Sequence, residues 1–381
     1  MPTRLATRLL AGLLLLAFVA FAARVLPPVL GNLQGGYLAF NDFFAQWSFA
    51  RFALADDPTQ IYDTTALHQL QLSLEPRLHQ FLPFPYPPTY LFVVLPLGWL
   101  PFGPAYMAWE TASLALFLWA VLGGAWRTPL VAFILLAPVT VIAVIYGQSS
   151  LLASALIVGG MRILRSRPMI SGILLGLATF KPQLGVLIPL ALIAGGYWRT
   201  LAMAGASVGV LVIASGVAFG WDMWSAWPRA IAAHLNFAES AVNDYHKPGI
   251  LATLKLAGMA LPVARAVQGG VTVAVAAVVW FCFRRGVTDL SIAVLQVGTF
   301  LATPYLFRYD MPMLANAILL FVRQRKQEAG GLGAIDTLAV VTGLLFPALT
   351  MLTTRFFYFN SIVLVLLFSV IARRRLAPRT L

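Results

Sequence analysis

Apolar runs of roughly 20 residues recur from one end of the chain to the other, each long enough to cross about 30 Å of hydrocarbon as a helix. They predict spans at 9–29, 86–100, 103–124, 201–220, 262–283, 287–304, 310–322, 333–350 and 356–371. Between 129 and 198 the apolar stretches are short, with breaks at Tyr146-Gly147-Gln148 and Lys181-Pro182. Two regions are polar and aromatic, 31–85 and 221–250. A membrane barrel would show short alternating segments instead. The pattern predicts an all-α polytopic membrane protein, a single domain over residues 1–381.

Charge supplies the orientation. The chain has 381 residues, is 60% hydrophobic and 10% charged, and carries a net charge of +13. Soluble domains carry roughly 25% charged residues. The positive charge clusters in short loops: Arg162, Arg165 and Arg167; Arg284 and Arg285; Arg323, Arg325 and Lys326; Arg373, Arg374 and Arg375. Such clusters mark cytoplasmic loops, so they point away from nucleic acid and toward a bilayer. Both termini are then expected in the cytoplasm, with 31–85 and 221–250 as the first and second large extracytoplasmic loops. The clusters at Arg162–Arg167 and Arg199 do not fit a simple alternation of full spans, so a half-span or re-entrant hairpin is expected between 129 and 198. Broken backbone at that depth is tolerated where it lines a protein-enclosed or watery cavity. The first span follows Arg4 and Arg8; Ala20-Phe21-Ala22 resembles a signal-peptidase site, but the run is long and is expected to stay as an anchor.

This topology places nine of the thirteen acids outside, Asp42, Asp56, Asp57, Asp63, Glu75, Asp222, Glu239, Asp244 and Asp310, together with all four histidines. Asp42 leads an aromatic run, Phe43, Phe44, Trp47, Phe49 and Phe52, that predicts an interfacial helix of about 13 residues ending at Asp56-Asp57-Pro58. Capping that helix is one role for Asp42; chemistry is the other. Pro83, Pro85, Pro87 and Pro88 surround Tyr86, and Pro87-Pro88 suits a helix start. Lys181 lies in apolar sequence beside a proline, where a buried ammonium marks a site or pathway unless it snorkels to an interface. Gln148 and Gln183 would make a polar pocket around it, and Glu110 is a possible ion partner. Arg308 suits bidentate binding of phosphate, or else forms a surface pair with Asp310.

Several chemistries lack their residues. The chain shows no Walker loop, no Gly-x-Ser-x-Gly elbow and no His-Glu-x-x-His, so ATP hydrolysis and zinc proteolysis are unsupported. The one cysteine, Cys282, forms no disulfide within the chain and no cysteine metal cluster. No metal site and no cofactor are expected.

Taken in order, a set of short motifs resembles glycosyltransferase family 87, membrane transferases of the GT-C type that use polyprenyl-phosphate sugars. The set is Asn41-Asp42-Phe43, Ile61-Tyr62-Asp63, Pro85-Tyr86-Pro87-Pro88, Gly147-Gln148, Lys181-Pro182-Gln183, Thr303-Pro304-Tyr305 and Tyr309-Asp310, spread over about residues 35 to 320. The resemblance implies a GT-C-type bundle of about 11–13 membrane helices, with interfacial helices in the first extracytoplasmic loop. It implies transfer of a sugar, mannose as the best match, from a polyprenyl-phosphate donor to a glycolipid or glycan acceptor. The setting would be the outer face of a bacterial-type cytoplasmic membrane, with inversion at the anomeric carbon. Asp42 matches the family's catalytic base. Arg308, Lys181, Lys247 and Arg355 are candidate ligands of the donor phosphate. Asn41, Tyr62, Tyr86, Gln148, Gln183, Tyr305, Tyr309 and Asp310 are candidates for lining the donor and acceptor pocket. Some members carry a histidine near the Tyr309-Asp310 position; this chain has none there. Two rival readings stay open: a secondary transporter or flippase of a lipid-linked sugar, which also uses broken helices and intramembrane charges, and a non-enzymatic assembly subunit.

Overall fold

The computed structural model describes residues 41–54, 57–78, 80–238, 244–328, 331–352 and 359–377, together with Ala23. The expected first span at 9–29, its cleavage-like motif and Arg355 lie outside the described residues, as does the side chain of Asn41. Among the described residues the protein is all-α.

Three helices among the described residues are each long and apolar enough to cross a membrane: Phe102–Leu122, Trp198–Phe219 and Leu261–Arg284. They match the expected spans at 103–124, 201–220 and 262–283. The Trp198–Phe219 helix sheds apolar side chains outward, with Val210 65% and Val217 76% exposed, which is favourable only against lipid. Ser150–Ile163 and Pro168–Leu177 pack against Phe102–Leu122 and Trp198–Phe219 respectively. Close approach there uses glycine: a Cβ on Gly172 would sit 2.5 Å from the Thr200 carbonyl oxygen. At the centre lies Asp289–Ala302, where every residue from Leu290 to Ala302 is buried. It is surrounded by Leu261–Arg284, Pro312–Gln327 and Asn360–Leu376. These helices, with Ala334–Leu352, correspond to the five expected spans at the C-terminal end.

The structure departs from expectation at 86–100. That run is not one helix but three short pieces, Pro88–Tyr90, Leu91–Val94 and Leu95–Trp99. Pro96 withholds an N–H and restricts the residue before it, so a regular helix cannot continue through it. The last piece packs on the Asn41–Ala53 helix, where a Cβ on Gly98 would meet the Ala50 carbonyl oxygen at 2.8 Å.

The two breaks expected between 129 and 198 are present, and a further one precedes them: Thr128–Leu136 and Pro138–Tyr146 meet at a 57° bend. The second of these ends at Gly147, which has φ +66°. The backbone breaks again at Lys181, between the turn Ala178–Phe180 and the short helix Pro182–Gly185.

The aromatic helix forms at the expected length, Asn41–Ala53, but protein encloses it on nearly every side. Phe43, Phe44, Gln46, Ser48, Phe49 and Ala50 are all buried. Phe43 and Trp47 meet Phe102 edge-on, and Phe49 meets Phe84. Aromatics on every face of the helix explain this: an amphipathic surface helix would keep a polar face for water. The rest of the first loop folds over it. Asp57 and Asp63 cap short helices through backbone N–H groups, so their carboxylates serve local structure. Gln71 clamps Leu82 with both ends of its amide. The second polar region closes on the first: the Trp227 indole in Asp222–Ala238 donates to the Pro85 carbonyl at 3.3 Å.

Candidate active site

Four distant segments converge beside the first turn of the Asn41–Ala53 helix. Asp42 lies in that turn, where the helix dipole favours a carboxylate. Gly147 brings the second segment in. Its backbone is left-handed, and a Cβ there would lie 2.4 Å from the Phe43 Cβ, so only glycine allows both the turn and the approach. The following residue, Gln148, brings its side-chain amide up to the Asp42 carboxylate, where it favours the ionised form. The proline break supplies Lys181, and the turn Arg308–Asp310 supplies the fourth segment.

Lys181 and Asp310 form a buried ion pair, Nζ to Oδ1 2.7 Å, with side chains 3% and 1% exposed. Ser150 joins them: its hydroxyl donates to Asp310 Oδ1 at 2.7 Å and accepts from Lys181 Nζ at 2.8 Å. Asp310 Oδ2 accepts from the Phe307 N–H at 3.2 Å. Lys181 also donates to Gln148 Oε1 at 3.5 Å and stands over the Tyr309 ring. A second chain of hydrogen bonds arrives through the aromatic loop. Tyr90 donates to Gln46, Gln46 donates to the Tyr86 hydroxyl at 3.5 Å, and Tyr86 donates to Gln148 Oε1 at 3.3 Å. Tyr86 stacks on Tyr90 at 3.9 Å, and Tyr62 donates to the Tyr86 carbonyl at 2.7 Å.

Asp42 keeps partial exposure while protein surrounds most of it. Desolvation raises its pKa to about 6, against the lowering effects of the Gln148 hydrogen bond and of the Lys181 and Arg308 charges; the Asp310 charge adds to the rise. A carboxyl so placed is ionised at neutral pH yet more basic than a free aspartate.

Arg308 is held by neutral groups. Its Nη2 donates to the Tyr146 hydroxyl at 2.9 Å and to His246 Nδ1, while its backbone N–H donates to the His246 carbonyl at 3.0 Å. Burial, with the Arg308 and Lys247 charges, pushes the His246 imidazole down to about 4, so the ring is neutral and accepts from the guanidinium. Arg308 Nε is buried with no hydrogen-bond partner among the described residues. Lys247 differs, being buried against Asp244 at 3.2 Å and over the Phe307 ring.

Several sequence expectations are settled by these contacts. Glu110 does not pair with Lys181; it is buried with both carboxyl oxygens unpartnered among the described residues. Lys181 has taken Asp310 instead, because the proline break carries it to that turn. Arg308 and Asp310 form no surface pair, since each is drawn to a different segment. Gln183 is half-buried one turn beyond Lys181, and no described hydrogen bond joins it to the cluster. Tyr305 is half-buried on the same strand of backbone as Arg308. Sequence reading missed Ser150, His246, Gln46 and Tyr90. Gln46 had a signal, since i and i+4 share a helix face with Asp42, and Tyr90 stands at the same spacing from Tyr86. His246 had none: it lies 62 positions from its partner Arg308.

The sequence model of Glycosyltransferase family 87 matches residues 84–304, more than half of the chain. The chain belongs to glycosyltransferase family 87. As a family 87 protein it is a membrane glycosyltransferase, acting on a sugar donor and an acceptor. The matched span includes Tyr86, Gln148, Lys181, His246 and Lys247; Asp42 and the Arg308–Asp310 turn lie outside it. No curated protein matches the chain, and no solved structure does.

Proposed function

We propose that this family 87 enzyme transfers a sugar, mannose by resemblance, from a polyprenyl-phosphate donor to a glycolipid or glycan acceptor at the extracytoplasmic face, with Asp42 as general base. The observation that carries the reading is Asp42 itself, a partly exposed carboxylate of raised basicity, faced by the Gln148 amide and within reach of the Arg308 charge. The acceptor hydroxyl oxygen attacks the anomeric carbon from the face opposite the phosphate. The bond from that carbon to the phosphate oxygen breaks, and its electron pair leaves with polyprenyl phosphate. Asp42 takes the hydroxyl proton. Phosphate is a stable leaving group, so no strong general acid is needed, and a positioned base contributes about 10²–10⁴-fold.

Of the described cations offered for the donor phosphate, Arg308 fits best. Its neighbours are a neutral imidazole and a phenol rather than a carboxylate, and its buried Nε has a donor to spare. A guanidinium suits phosphate oxygens, and stabilises charge that develops as the phosphate departs. Lys247 is a second candidate: it already holds Asp244, a carboxylate that it shares with Lys255. Tyr62, Tyr86, Tyr305 and Tyr309 supply aromatic and hydroxyl surface for the sugar.

The test is transfer of radiolabelled mannose from polyprenyl-phosphate-mannose to extracted membrane glycolipid by the detergent-purified full chain. The wild type labels the lipid and Asp42→Asn does not, at equal yield of folded protein. Retained labelling by Asp42→Asn, or no labelling of lipid or glycan from any polyprenyl-phosphate sugar by the wild type, overturns the proposal.

A further inference from the structure

Lys181 has the charge of a phosphate ligand but not the surroundings of one. It is buried, and its ammonium is saturated by three oxygens: Asp310 at 2.7 Å, Ser150 at 2.8 Å and Gln148 at 3.5 Å. An ammonium has three protons to donate, so each is already assigned. Asp310 cancels its charge at contact distance, which leaves little field for a substrate anion.

Gln148 shows what the arrangement achieves. A carboxamide can flip by 180°, and which end faces which neighbour depends on its hydrogen-bond network. Here Oε1 faces two donors, Lys181 Nζ and the Tyr86 hydroxyl. Flipping would set the amide N–H groups against an ammonium, so the NH₂ end is held toward Asp42. We infer that the Lys181–Asp310–Ser150 unit is not a donor-phosphate site but a strut that locks the Gln148 amide, and that Gln148 is the positioning residue of the Asp42 carboxylate. The inference rests on the proposed role of Asp42 as base. It also gives a reason for the two backbone breaks. Gly147 delivers Gln148 to Asp42, and Pro182 delivers Lys181 to Gln148.

The groups whose charge reaches Asp42 are Lys181 from the proline break and Arg308 and Asp310 from the turn, and the Tyr309 phenol also couples to it. Two variants separate a strut from a phosphate ligand. Gln148→Leu removes the lock's output, while Lys181→Met/Asp310→Asn removes the lock with no net charge left behind. The measurements are kcat and donor KM for polyprenyl-phosphate-mannose, and kcat/KM from pH 4.5 to 8, with thermal melting of the purified protein to confirm folding. Wild type and Asp42→Asn run alongside.

For Gln148→Leu the expected result is a kcat lowered about 10-fold or more, the acid limb of the profile moved up by about one pH unit because a hydrogen bond to the ionised form is lost, and donor KM within about 3-fold of wild type. The double variant shifts the limb in the same direction, also with little change in donor KM. A double variant whose donor KM rises about 10-fold or more with its acid limb unmoved makes Lys181 a phosphate ligand and overturns the inference. Gln148→Leu with unchanged kcat and limb overturns it too, and decides alone if the double variant fails to fold. Loss of the parent reading looks different: there Asp42→Asn keeps transferring, or the wild type transfers nothing.

Discussion

Two of the protein's buried charge clusters are finished to different degrees. One joins Pro312–Gln327, Ala334–Leu352 and Asn360–Leu376. Asp336, fully buried, accepts from Arg325 Nε at 3.0 Å, Arg374 Nη2 at 3.0 Å and the Gly333 N–H at 3.2 Å. Arg325 also donates to the Gly331 carbonyl at 2.6 Å and pairs with Glu328. The other is the cluster around Asp42. Its ion pair, Lys181–Asp310, is equally complete, yet the groups beside it are not. Arg308 Nε is buried without a partner among the described residues, and burial makes the Asp42 carboxylate unusually basic. A network whose members satisfy one another holds structure; one that keeps a base and an unmatched donor in reserve is suited to chemistry. On the proposed function, the completed pair at the second cluster belongs to its scaffold and the reserve serves the reaction.

If that division is right, damage to the two clusters appears in different measurements. The largest effect is on rate. Asp42→Asn lowers transfer by about 10²–10⁴-fold, while its melting temperature stays level or rises. The sign follows from linkage. The carboxyl is at 3.8 when unperturbed and about 6 in the fold, so the folded state binds protons more tightly. The stability this confers is full below 3.8 and is lost as pH rises through about 6, so at neutral pH the ionised group opposes folding and the amide relieves it. Next is stability: Asp336→Asn takes the shared carboxylate from Arg325 and Arg374, leaves Arg325 with Glu328 and the Gly331 carbonyl, and costs about 1–3 kcal/mol, seen in thermal or denaturant unfolding, with transfer per folded molecule unchanged. Equal loss of intrinsic rate in Asp336→Asn would erase the distinction between the clusters.

Arg308→Gln is expected to act on the reaction side of that line, lowering kcat/KM by about 10²-fold with unfolding shifted by less than about 1 kcal/mol, since its present partners are neutral. The smallest change requires no mutation. Wild-type kcat/KM falls about tenfold per pH unit on the acid side of about 6 as Asp42 takes up a proton, while the Asp336 clamp contributes nothing to that limb.

How much of this was written in the sequence follows physical lines. Long apolar spans and the breaks at Gly147 and Pro182 were legible because each depends on local residue chemistry. The convergence of Asp42 with Gln148, and of Lys181 with Asp310, was named only as an ordered set of motifs, because pairings across 129 positions leave no local periodicity. The aromatic helix was read at its full length but expected on the membrane surface. Aromatics favour an interface and a protein core alike, and only the enclosing loop decides between them. The run at 86–100 failed for the opposite reason: hydropathy does not register what Pro96 does to a helix.

The most direct test of the account is a structure of the protein holding a nonhydrolysable polyprenyl-phosphate-sugar analogue and an acceptor glycolipid. The account predicts an Asp42 carboxylate oxygen about 2.6–3.2 Å from the attacking acceptor hydroxyl, on the face of the sugar opposite a phosphate held by Arg308. An acceptor hydroxyl out of hydrogen-bond reach of Asp42, or a phosphate seated on Lys181 with the Asp310 pair opened, would contradict it.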